Sequence, residues 1–104
     1  NLLKLLEDTS PELTLTKDSK INSVSYDSVL DFIEYARKKG INGTYNLCAS
    51  KNIMIGEIAK VVNKNVRFGD YKYNVGNINN DKVVELFPIF QNTSKDIILE
   101  YMNN

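Results

Sequence analysis

Apolar positions recur along this chain in two rhythms, and glycine and asparagine mark where one gives way to the other. Val29, Phe32, Ile33 and Ala36 stand at i, i+3, i+4 and i+7, which predicts an amphipathic helix. Asp27 or Ser28 can cap its start, Lys38 and Lys39 sit at the negative end of its dipole, and Gly40 supplies a left-handed stop. Ile55, Ile58, Ala59 and Val62 repeat the period and predict a second helix. Gly56 inside it costs about 1 kcal/mol relative to alanine, which points to close packing against a neighbour. Residues 2–7 read as the end of a helix stopped by Asp8-Thr9-Ser10-Pro11, and Asn80-Asp81 opens a short one that carries Val83, Val84, Leu86 and Phe87 and ends at Pro88. Thr93, with Asp96 three residues on, has the form of a capping box before a last helix through Ile97, Ile98 and Tyr101.

The other rhythm is the alternation of a strand. Leu13 and Leu15 alternate with threonines, Val24 and Tyr26 flank a serine, and Tyr45 to Ala49 and Val66 to Phe68 are short apolar runs. Each predicts a short strand. From Gly69 to Asn80 the chain is polar and rich in asparagine and glycine. Neither a repeat nor a linker divides the 104 residues, so residues 1–104 read as one α/β domain with short strands alternating with helices.

Composition narrows the function. Hydrophobic residues at 42 % and charged residues at 25 % are ordinary for a globular domain. Thirteen basic and thirteen acidic side chains cancel, which leaves no electrostatic footprint for nucleic acid or an anionic membrane. No apolar run approaches the roughly 20 residues that span a bilayer. Without histidine, and with one cysteine, the chain has no zinc constellation, no internal disulfide and no imidazole for acid–base work. No targeting peptide is visible, so the expected compartment is the cytoplasm. The opening at Asn1, already inside an apolar run, leads us to expect that an upstream part is missing.

Several side chains invite a chemical reading. Cys48, in an apolar run, reads as a small buried hydrophobe. Tyr71 and Tyr73, with Phe68, could stack on a base or sugar, or pack a loop onto the body. Arg67-Phe68-Gly69-Asp70 is the best candidate. Arginine's planar fork suits a diphosphate, a carboxylate three residues on can accept hydrogen bonds from ribose hydroxyls, and the glycine allows a turn that serves both.

The order of these segments resembles the C-terminal part of the extended short-chain dehydrogenase/reductase family, the NAD(P)-dependent epimerases and dehydratases of nucleotide sugars. Asn22 to Val29 resembles its Arg-Asp-Phe-x-x-Val-x-Asp-Val segment, and Gly43-Thr44-Tyr45-Asn46 its Gly-x-Tyr-Asn. Ile53 to Ala59 is similar to the following Glu-Leu/Ile-Ala helix, Arg67 to Asp70 to its Arg-x-Gly-Asp, and Lys82 and Thr93-Ser94 to later family positions. The resemblance covers nearly the whole chain. It implies the substrate-binding portion of a Rossmann-type enzyme that uses NAD or NADP, with the dinucleotide-binding part and the catalytic tyrosine and lysine lying before Asn1. It also implies a nucleotide-sugar substrate held by Arg67 at the diphosphate and Asp70 at the ribose, and leaves a homodimer open. On this reading the chain alone carries no catalytic, cofactor or metal residue. The alternative is a stand-alone α/β binding or scaffold module.

Two departures stand out. The family's earlier substrate arginine, expected near Ile21 or Asn22, is missing, and Met54 replaces a capping Ser or Thr. Tyr35 and Lys39, with Ser23 upstream, match the family's catalytic Tyr-x-x-x-Lys in form. They nevertheless flank the apolar stripe of their helix, and no glycine-rich loop precedes them, so we expect them to be structural.

Overall fold

The structure is a computed structural model and describes residues 1–103. Its helices are α1 (Leu2–Glu7), α2 (Tyr26–Lys39), α3 (Ile55–Val62), α4 (Asp81–Leu86) and α5 (Ser94–Met102), with a 3-10 turn at Pro88–Gln91 ahead of α5. Among the described residues the one regular ladder is short. β1 (Lys20–Ile21) runs antiparallel to β2 (Ile53–Met54), pairing Lys20 with Met54 and Ile21 with Ile53. Single parallel bridges join Glu12 to Arg67, Leu15 to Tyr71 and Lys20 to Asn74. Residues 11–21 therefore lie between β2 and the stretch 66–75. The fold is mixed helix with a two-stranded sheet. No helix among the described residues is long and apolar enough to cross a membrane.

The helix ends follow from local chemistry. The cap of α2 is Ser25, earlier than either expected residue, because its Oγ accepts the Ser28 N–H at 3.1 Å. Asp27 falls instead in the first turn, where its charge complements the dipole. Gly40 takes the left-handed stop at φ 64°. Thr93 and Asp96 form the full capping box of α5. Met54 offers α3 no side-chain cap. The first N–H groups of α3 go to backbone instead, Ile55 N–H to the Ser19 carbonyl at 2.9 Å and Gly56 N–H to the Lys17 carbonyl at 2.7 Å. A Cβ on Gly56 would stand 3.0 Å from that Lys17 oxygen, which accounts for the glycine inside a helix.

The apolar residues gather in two cores. An aliphatic one comprises Leu5, Leu13, Ile53, Ile55, Ile58, Ala59 and Ile98, with Phe68 and Leu15 packed against it. An aromatic one centres on buried Phe32, Val83 and Phe90. Phe32 meets Tyr45, Phe87 and Phe90 edge-on, with ring centroids 5.4, 6.0 and 6.0 Å away.

Three of the expected strands do not form as strands, and the fourth fails for an instructive reason. Leu15 and Arg67 each make a single bridge, while Tyr26 is the first residue of α2. Tyr45 to Ala49 joins no ladder, and within it the Cys48 N–H turns back to the Asn46 carbonyl at 3.1 Å. Side chains take the backbone groups that a neighbouring strand would take. Asn22 accepts the Ala49 N–H and donates to the Ala49 carbonyl at 2.9 and 3.0 Å, as a strand residue would. Asn80 donates to the Cys48 carbonyl, and the Lys82 ammonium to the Thr44 carbonyl. With those partners in place, no strand is needed.

The molecule is a slab, with Cα extents of 47 × 28 × 16 Å and a radius of gyration of 15.2 Å. A compact domain of this length has about 13 Å. Its accessible surface is 7031 Å², against about 5900 Å² for a folded monomer of 11.8 kDa.

Candidate functional site

Arg67 and Asp70 lie on the strip that runs beside residues 11–20. Its backbone is pinned along its length. Arg67 N–H donates to the Pro11 carbonyl at 3.0 Å, and the Arg67 carbonyl accepts from Leu13 N–H at 2.9 Å. Gly69 N–H reaches the Leu15 carbonyl at 2.9 Å, and Tyr71 N–H the Thr14 carbonyl at 3.0 Å. Gly69 is the closest approach: a Cβ there would overlap the Thr14 carbonyl carbon and oxygen, which are backbone and cannot step aside. Glycine is thus required at this position by packing, at an ordinary negative φ.

Both charged side chains are exposed, and neither takes part in an ion pair or side-chain hydrogen bond among the described residues. The structure places them on one rigid strip without pairing them to each other. Tyr71 and Tyr73 on the same strip are also exposed, whereas Phe68 is half-buried against the aliphatic core and serves packing. Beside them Lys72 pairs with Asp18 at 3.1 Å. The Thr16 hydroxyl, then Lys72, hold the Asp18 carboxyl below the usual aspartate range.

Of the remaining motif residues, Tyr35, Ser23, Lys82 and Asn22 have structural partners. Tyr35 packs its ring 5.5 Å from Phe87, and Lys39 stands exposed in the last turn of α2. Ser23 gives its N–H to the Ser94 hydroxyl, 3.0 Å away. Lys82 lies over the Tyr45 ring at 4.5 Å. Asn22, near which a second arginine was expected, is committed to Ala49 and Asn52. Cys48 is buried, and that burial pushes its thiol pKa up, so it is a packing residue.

The fit of a dinucleotide can be tested at the β2–α3 junction, where a strand leads straight into a helix. A pyrophosphate needs free N–H groups behind close-set glycines. Here the Ile55 and Gly56 N–H groups are already bonded to Ser19 and Lys17, and no glycine precedes them in the turn. This junction therefore leaves those two N–H groups unavailable to a pyrophosphate. No three His, Cys, Asp or Glu side chains are placed to hold a metal among the described residues.

Sequence reasoning missed one feature. A groove of about 540 Å³ opens between α1, α5 and the start of α2, and its lining comes from four separated segments that no local pattern connects. Comparison of the chain with family models, with curated proteins and with solved structures finds no match.

Proposed function

We propose that this chain is the substrate-recognition portion of an NAD(P)-dependent nucleotide-sugar epimerase, dehydratase or reductase of the extended short-chain dehydrogenase type. The observation that carries the reading is the Arg67–Asp70 strip. Two unengaged charges of opposite sign stand on backbone that is fixed from 67 to 71, and the glycine between them cannot be replaced. A rigid mount costs little ordering entropy on binding, which favours a recognition surface. Arg67 supplies bidentate donors for a diphosphate, Asp70 accepts from ribose hydroxyls, and exposed Tyr71 offers a face for a base. On this reading NAD(P) is held elsewhere in the complete enzyme, and the bonded Ile55 and Gly56 N–H groups at the β2–α3 junction agree with that. Asn22 is occupied in the fold, so the diphosphate falls to Arg67 alone.

Titration of the ¹⁵N-labelled chain with a uridine diphosphate sugar tests this. Shifts are expected at residues 66–73 and to be absent from α2 and α4. Arg67→Ala should weaken binding roughly 10- to 150-fold, the worth of a charge-assisted bidentate contact, and Arg67→Lys should restore part of it. In the complete enzyme the same loss would appear in KM with kcat nearly unchanged, because the diphosphate is remote from the reacting carbon. No perturbation of the strip at millimolar ligand would overturn the assignment.

A further inference from the structure

The groove beside α2 has a character of its own. Leu2, Leu3 and Leu6 of α1, Tyr26 of α2, Ile89 of the 3-10 turn and Tyr101 of α5 supply its apolar walls. Leu3, Tyr26, Ile89 and Tyr101 rank among the most exposed large hydrophobics of the molecule, at 62, 77, 43 and 54 %. They therefore converge on one place, and a contiguous exposed apolar patch of this kind marks an interaction surface. The remaining wall residues settle its charge. Asp27, Asp31 and Glu100 line the groove, no Lys or Arg does, and none of the three carboxylates is in an ion pair among the described residues. Glu7 adds a fourth at the edge, where it accepts from the Tyr101 hydroxyl at 3.4 Å. In a chain whose charges balance overall, this is a one-signed rim.

We propose that the groove docks a basic amphipathic helix of a partner protein, with leucine-like anchors at i, i+3, i+4 and i+7 in the cleft and lysines or arginines over the carboxylates. An anionic membrane is disfavoured by the same carboxylates. None of the Arg67–Asp70 strip lines the groove, so this inference stands apart from the nucleotide reading.

A fluorescent synthetic peptide of about 14 residues, leucines on one helical face and lysines on the flanks, is the probe, read by anisotropy against the 104-residue chain. Binding should weaken about tenfold or more in the Asp27→Asn/Asp31→Asn/Glu100→Gln variant and fall with added salt. Leu3→Ala, at a mostly exposed position that the fold does not depend on, should weaken it severalfold while circular dichroism stays unchanged. A peptide with glutamates for the lysines, and a scrambled peptide of the same composition, should bind at least tenfold more weakly. Equal binding of the acidic and basic peptides overturns the proposal, as does no binding at 100 µM. So does dimerisation of the chain through this face that the peptide fails to displace, since a second copy would then be the occupant.

Discussion

The aliphatic core draws Leu5, Leu13 and Ile98 from the two ends of the sequence and Ile53, Ile55, Ile58 and Ala59 from its middle, whereas Phe32, Tyr45, Phe87 and Phe90 of the aromatic core come from the stretches between. The two are held differently. Around the aliphatic core the backbone pairs chiefly with itself, through α1, α3, α5, the β1–β2 ladder and the bridges of 66–75. Side chains add to it where Lys64 donates to the Leu5 and Leu6 carbonyls, Asn1 accepts the Thr14 and Leu15 N–H groups and Ser19 accepts the Tyr73 N–H. Around the aromatic core much of the backbone is irregular, and asparagine side chains do that work. Asn80 is 7 % exposed and donates to the Cys48 and Phe90 carbonyls, Asn22 grips Ala49, and Asn46 donates to the Asn79 carbonyl. One half is ordered mainly by periodic hydrogen bonding, and the irregular backbone of the other mainly by single pins around a few large rings.

The largest test of that difference is Phe32→Ala. Loss of a buried phenylalanine costs about 3 to 5 kcal/mol, and three edge-on ring contacts go with it. Hydrogen exchange should accelerate first at residues 44–50 and 80–92, and later in α3. Ile58→Ala, in the aliphatic core, should cost about 2 to 5 kcal/mol with the order reversed. Equal acceleration everywhere in both variants would mean a single cooperative unit and would remove the distinction.

A smaller effect isolates the pins. Asn80→Ala leaves the buried Cys48 carbonyl without its donor and the Phe90 carbonyl with the Ser50 hydroxyl alone, at about 1 to 3 kcal/mol. The loss should appear in a urea titration, with exchange again concentrated at 44–50. Asn80→Asp should do no better, because a carboxylate offers these carbonyls no hydrogen. A near-neutral Asn80→Ala would show that the rings alone hold this half.

Legibility in the sequence follows the same division. All five helices stand close to where the apolar period and the stop residues place them, and the capping box of α5 is complete. These signals are local, so a single sequence carries them. The strand expected at Tyr45 to Ala49 fails because its partners are Asn22 and Asn80, distant residues whose type is common in loops throughout this chain. Nothing local distinguishes a pinning asparagine from a solvated one. Likewise Arg67-x-Gly-Asp was legible as a motif, but the reason for its glycine was not, since the Thr14 carbonyl that excludes a side chain comes from 55 residues earlier. The groove was invisible for the same reason.

The smallest effect probes the more regular half at α5. Thr93 Oγ1 accepts the Asp96 N–H at 3.1 Å, and the Asp96 carboxylate accepts the Thr93 N–H at 2.9 Å. Those bonds hold the Asp96 pKa below its ordinary 3.8, so the folded state favours the charged form. A depressed pKa contributes stability that is fully present above the unfolded value and lost as pH falls through the folded one. The urea midpoint of the wild type should therefore exceed that of Asp96→Asn by a constant small margin from about pH 7 to pH 5, and the margin should close below about pH 4. Asp18, also depressed, titrates in the same window in both proteins and cancels from the difference. Thr93→Ala removes the other half of the box and should cost about 1 kcal/mol at neutral pH. If the margin persisted in acid, the carboxylate's charge would not be what caps α5, and this end of the aliphatic half would rest on packing of Ile97 and Ile98 alone.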